Sequence, residues 1–200
     1  MDINAAAEQI RAAGLFCDVS NPHRIFGGTT FVIQEDGPIP NLPTSMYIDR
    51  FEIAYDEGRW TVALLYAASL IIAVSRQLSE SVEAVINFFQ LKQLVSTSDF
   101  EYKLWTLCKE SLCPRFIAPN QFELNLSQSD VTVEYYYRVI VELFEMTTRD
   151  RSILLTKLPD AWAVKVMRDG AMLLEKQCST FDAAVDIVIG QGKPLLIQKV

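Results

Sequence analysis

An α+β fold is the class this sequence predicts: antiparallel β-hairpins with capped helices packed on one side. Three observations predict it. Phe51, Ile53 and Tyr55 alternate with polar or small residues, Asp56-Glu57-Gly58 interrupts, and Trp60, Val62 and Leu64 resume the alternation. That is the period-two signature of a hairpin with one buried face. Trp162, Val164 and Val166 repeat the pattern around Arg168-Asp169-Gly170. Behind each hairpin a serine, Ser79 or Ser179, precedes apolar residues at helical spacing, which marks a capped amphipathic helix.

Taken in order, Ile3 to Ala13 reads as a short helix with Asn4 as cap and Gly14 as stop. Leu15 to Val19 is a strand, and Ser20-Asn21-Pro22-His23 has turn chemistry. Arg24 to Gln34 is a second strand, weakened at Gly27-Gly28. Pro38, Pro40 and Pro43 deny helix and ladder alike between Glu35 and Ser45, which makes that segment a boundary or a long loop. Met46 to Leu65 is the first hairpin. The β-branched Ile71, Ile72 and Val74 favour a third strand over a helix for Ala67 to Arg76.

Ser79 to Leu94 is the helix that follows. A second helix is expected from Phe100 to Leu112, with Ser96 to Asp99 as its cap and Pro114 beyond its end. Arg115 to Gln121 reads as irregular, and Phe122 to Leu126 as a short strand. Asp130 to Met146 has strand-like propensity at its tyrosines. However, Glu134, Arg138, Glu142 and Glu145 recur at spacings of four, four and three, which places them on one helical stripe. Ser152 to Thr156 is a short strand, and Trp162 to Lys176 the second hairpin. The helix capped by Ser179 carries Asp182 at the capping-box position and ends near Ile189, and Leu195 to Val200 is a terminal strand.

The two hairpin-helix runs suggest an internal repeat. Phe51-x-Ile53-x-Tyr55 with Gly58 compares with Trp162-x-Val164-x-Val166 with Gly170. Ser79, Ala84 and Val85 compare with Ser179, Ala184 and Val185. On this reading two similar β-β-α lobes flank an inserted helical section at 97–158, and Ala67 to Arg76 is extra to the first copy. The competing reading is chance, since a hairpin followed by a capped helix is a common arrangement. The division expected is an N-terminal lobe at 1–96 and, at 97–200, a helical section with a C-terminal lobe, or else one continuous domain.

Composition limits the chemistry. For 200 residues, about 70 % of the unfolded surface is buried on folding, enough for one substantial core or two small lobes. The net charge of −7, with no cluster of Lys and Arg, argues against general nucleic-acid binding and leaves a basic protein as a natural partner. The amino terminus lacks the basic and apolar regions of a signal peptide, and the apolar run Trp60 to Val74 is shorter than the ~20 residues a membrane helix needs. A cytoplasmic protein is expected. Cys17, Cys108, Cys113 and Cys178 match no metal or redox spacing, so they read as reduced thiols, and neither metal nor cofactor is expected.

His23 is the single histidine, so any triad or Cys-His chemistry must pass through it. Cys17 and His23 could pair across the turn, but a solvated turn histidine is the simpler account. Asp49, Glu52 and Asp56 offer carboxylates, yet strand alternation sets Asp49 on the opposite face from the other two. No phosphate-binding glycine loop precedes a helix. The function expected is therefore a non-catalytic protein-binding module, such as a small inhibitor, immunity-type or adaptor protein. Its surface is mildly acidic and tyrosine-containing, with Asp56, Glu57, Glu134, Tyr136, Tyr137 and Glu142 as candidate contacts. The alternative is a small hydrolase or transferase using Cys17 and His23 or the scattered carboxylates. A homodimer through Leu70 to Val74 is a further option, if that segment is a sheet edge and not a central strand.

Overall fold

The computed structural model describes residues 1–20, 30–35, 50–56, 58–66, 68–95, 100–108, 112–126 and 151–192, a few of them by backbone alone. The protein is α+β. It divides into two compact units, Met1–Ile86 and Asn87–Val200, with the division falling inside a helix.

The first unit opens with α1 (Ile3–Ala12), whose N-cap is Asp2 and not Asn4. Asp2 stands one residue before the helical backbone begins, and its carboxylate accepts from the Ala5 amide at 2.8 Å. Strands β1 (Phe16–Ser20), β2 (Thr30–Gln34), β3 (Arg50–Asp56), β4 (Arg59–Tyr66) and β5 (Ala68–Ser75) follow. They form one antiparallel sheet in chain order, so each strand pairs with the next. The described part of the segment expected at Ala67 to Arg76 is thus a strand over Ala68–Ser75, as its β-branched residues require, and it lies at the outside of the sheet. Helix α2 (Leu78–Leu94) begins one residue before Ser79, which sits in its first turn and is not its cap. Ser75 organises the approach: its hydroxyl accepts from the Gln77 amide and donates to Glu80.

The second unit repeats this order. It contains α3 (Phe100–Cys108), then β6 (Leu112–Ala118), β7 (Gln121–Leu126), β8 (Arg151–Lys157), β9 (Trp162–Arg168) and β10 (Ala171–Cys178), then α4 (Phe181–Ile187), which runs into one π-helical turn, Val188–Gly192. The five strands again pair in chain order. The expected helix to Leu112 stops at Cys108, and the segment read as irregular is strand β6. Pro114 obscured it, but β6 is an outermost strand, the place in a sheet where proline is tolerated. The N-cap of α4 is Thr180, whose hydroxyl accepts from Ala183 at 3.2 Å. Ser179 precedes it, and Asp182 falls short of the capping-box position.

The described part of 97–158 is therefore one helix and three strands, not a helical insertion. Among the described residues the repeat is α-β-β-β-β-β-α taken twice. By this order β9–β10 corresponds to β4–β5, so the similarity between β3–β4 and β9–β10 is displaced by one strand. The segment that looked additional, β5, is a regular member. The helix expected at Asp130 to Met146, the strand at Leu195 to Val200 and the proline-rich segment lie outside the described residues.

The hairpin turns follow from their residues. Arg168 faces Ala171 across a two-residue loop in which Asp169 and Gly170 have φ of 49° and 77°. Two successive positive φ values make the type I′ turn whose twist suits a hairpin, and Asp-Gly is among the pairs that adopt it most readily. Asp56 faces Arg59 at the end of the β3–β4 hairpin, where Gly58 has φ 84°.

The two sheets bury their faces differently. In the first, Phe31, Ile33, Phe51, Ile53, Val62 and Leu64 make one apolar face. Val32, Gln34, Glu52, Ala54, Thr61 and Ala63 make the other, and all are buried too. In the second sheet, Phe116, Phe122, Leu124, Ile153, Leu155, Trp162, Val164 and Val166 form a single buried face. The helices supply rings to it: Phe88 of α2 meets Phe116 at 5.0 Å, Phe181 of α4 meets Trp162 at 4.9 Å, and Phe100 of α3 meets Phe181 at 5.2 Å. Centroid separations in this range suit edge-to-face and tilted packing.

Candidate functional site

The alternation that makes β3 and β4 strands also brings Tyr55 and Trp60 together beside their turn. They are directly opposite in the register, with ring centroids 4.9 Å apart and planes at 47°. Trp60 in turn approaches the buried Phe31 at 6.0 Å. The result is a graded row of rings: Phe31 is wholly buried, Trp60 partly exposed, and Tyr55 41 % exposed. The turn residues Asp56 and Arg59 flank the outer pair. A tyrosine ring held against a tryptophan loses little freedom when a partner covers it, because its rotamer is already supported from below.

Of the expected contact residues, Asp56 ends β3 at this tip, described by its backbone alone, while Glu57, Glu134, Tyr136, Tyr137 and Glu142 lie outside the described residues. By alternation alone Tyr55 and Trp60 belong to the buried face of a hairpin, which does not mark them as a site. The signal was their position: the last inward-facing pair before a turn sits at the rim of the sheet.

The candidates for covalent or metal chemistry are placed as follows. Cys17 lies in β1, buried, and burial pushes its thiol up to about 11, with Arg11 pulling the other way and Asp18 and Glu8 adding to the rise. It is a protonated thiol at neutral pH, the inert form of the group. Arg11 also donates from Nε and Nη2 to the Cys17 carbonyl, at 3.3 and 2.9 Å, which occupies an acceptor on the outermost strand of the sheet. Burial likewise raises Cys178. Glu52 is 3 % exposed and accepts from Arg50 Nε at 2.9 Å. His23 and Asp49 lie outside the described residues. Among the described residues no group of three or more His, Cys, Asp or Glu could hold a metal ion, and no helix is long and apolar enough to cross a membrane.

Comparison of the chain with family models, with curated proteins and with solved structures finds no match.

Proposed function

We propose that the protein is a non-catalytic binding module of the inhibitor, immunity or adaptor kind, which captures another protein at the tip of the β3–β4 hairpin. The observation that supports this reading is the exposed Tyr55, packed at a tilt against Trp60 and followed across the turn by Arg59. Tyr, Trp and Arg are the residue types that most often carry interface energy. The net charge of −7 favours a basic partner, chiefly through faster encounter. Cys17 and Cys178 are free thiols, which suits a reducing, cytoplasmic setting.

Affinity capture from the native host, with the bound fraction identified by mass spectrometry, tests the reading. A stoichiometric protein partner is expected, and Tyr55→Ala should weaken its binding by roughly 30-fold or more with the fold intact. Absence of any partner, or one indifferent to Tyr55→Ala and Trp60→Ala, would overturn it. So would a turnover that disappears in Cys17→Ala or His23→Ala.

A further inference from the structure

The open face of the second sheet carries a charge row that is its own complement. Register places Arg115 of β6 opposite Glu123 of β7, Glu123 opposite Leu154 of β8, Leu154 opposite Lys165 of β9, and Lys165 opposite Glu175 of β10. These five residues form one line across the sheet, on the face away from Phe116, Phe122 and Trp162. All five are at least partly exposed, and Lys165 and Glu175 are joined at 3.0 Å. The rings that α2, α3 and α4 supply lie on the opposite face.

Read across the strands, the row is positive, negative, apolar, positive, negative, with Leu154 on the central strand. Reversed, every sign is exchanged. A two-fold axis running along β8 above Leu154 performs that reversal, because it carries β6 over β10, β7 over β9 and β8 over itself. Arg115 then faces Glu175 of the second copy, Glu123 faces Lys165 of the second copy, and the two Leu154 side chains meet on the axis. An axis along the row would instead set each charge against itself. Strands in both copies are spaced by about 4.8 Å, so the pairs align when the sheets stack about 10 Å apart.

We propose that this face is an interface between two copies of the chain, packed sheet on sheet about that axis. It stands independently of the hairpin-tip reading and uses a different unit. Five strands at about 4.8 Å spacing and about seven residues each give a face of about 550 Å² per copy, so about 1,100 Å² in all. That lies at the low end of specific interfaces. The dimer is accordingly weak, and sensitive to salt because its specificity is charge pairing.

Sedimentation velocity on the full chain, up to about 200 μM and at about 20 and 500 mM NaCl, tests it. Wild type should move from monomer towards dimer with concentration at low salt and return to monomer at high salt. Glu123→Lys or Lys165→Glu alone sets like charges together twice across the axis and should raise the dissociation constant at least about tenfold. The double variant Glu123→Lys/Lys165→Glu should recover association. Within one copy these two residues are separated by β8, and the swap repairs neither's contact with Arg115 or Glu175, so only an intermolecular pair explains the rescue. Circular dichroism checks folding. Should a charge variant fail to fold, Leu154→Lys, with two charges on the axis, must abolish the dimer. A wild type that stays monomeric at low salt overturns the proposal. So does a dimer indifferent to Leu154→Lys, or a double variant that folds and remains monomeric.

Discussion

Among the described residues the two units have the same succession of elements, and they differ in what they do with the second face of the sheet. In the first, that face is closed and holds Gln34, Glu52 and Thr61 among Val32, Ala54 and Ala63. In the second it is partly exposed and holds Arg115, Glu123, Lys165 and Glu175 around Leu154, with only the small Ser152 and Ala163 buried between them among the described residues. One polar pattern thus serves two purposes. Where the face is closed, each polar group must find a partner inside the protein or cost stability. Where it is partly exposed, water shares in solvating the charges, so their pairing inside the protein matters less to stability.

The largest effect should come from opening the buried ion pair. Glu52→Ala leaves the Arg50 guanidinium without its close carboxylate in a closed environment, and removal of one member of such a pair costs about 3–5 kcal/mol. Urea unfolding followed by circular dichroism should show the midpoint falling accordingly. A loss under about 1 kcal/mol would mean that this face is wetter than its burial implies, and the contrast between the sheets would shrink.

Next in size is an alkaline loss tied to Cys17. Its folded thiol is raised from an ordinary value of 9.0 to about 11. The folded protein therefore holds this proton more tightly than the unfolded chain does. The resulting stability is fully present below about pH 9 and is lost as pH rises towards 11, on the order of 2 kcal/mol in total. Thermal melts from pH 8 to 11 should fall more steeply for wild type than for Cys17→Ala, and iodoacetamide should leave Cys17 unlabelled at neutral pH. Parallel slopes in the two proteins would remove the thiol as the cause.

Stabilising substitutions should follow where the closed face leaves a polar atom alone. Among the described residues, Gln34 Oε1 is buried without a hydrogen-bond partner, and so is Ser81 Oγ in the first turn of α2. Gln34→Met keeps the length of the side chain and removes the stranded carbonyl, so a gain of about 1 kcal/mol is expected. Ser81→Ala removes its hydroxyl and adds helix propensity, for a gain of about 0.5–1 kcal/mol. A loss of stability in Gln34→Met would indicate that its amide group is held by a contact worth more than the carbonyl costs.

Much of the fold was legible because local chemistry and global order agree. Asp169-Gly170 specified a turn, the alternation at Phe51 to Leu64 specified a hairpin, and Val82, Val85 and Phe89 specified a helix face. The misreadings fell where a residue's meaning depends on its place in the sheet. Pro114 signals irregularity in a central strand but is tolerated in outermost β6. Asn4 and Ser179 are good capping residues, yet Asp2 and Thr180 occupy the positions where the backbone turns. The site was less legible still. The pairing of Tyr55 with Trp60 and its place beside the turn follow from alternation, but the exposure of Tyr55 above a buried Phe31 does not. The row from Arg115 to Glu175 draws on five strands, and the register shifts beside Ile117 and Leu173 must be known before those residues align.

The smallest predicted effect is the one that sharpens the comparison most. Lys165→Ala removes one member of an ion pair between neighbouring strands, Glu52→Ala one member of a pair within β3, and the two pairs have nearly equal lengths of 3.0 and 2.9 Å. Their surroundings differ: the side chains of Lys165 and Glu175 are 40 % and 43 % exposed, those of Arg50 and Glu52 11 % and 4 %. In the open pair, water solvates whichever charge is left, salt screens the attraction, and ordering two long side chains offsets part of the gain. Lys165→Ala should therefore shift stability by less than about 1 kcal/mol when measured on dilute monomer at high salt. Urea unfolding of both variants under identical conditions makes the test direct. Equal losses would mean that face burial does not set the worth of a charge here, and a several-fold larger loss for Glu52→Ala assigns the difference to the environment and not to the contact.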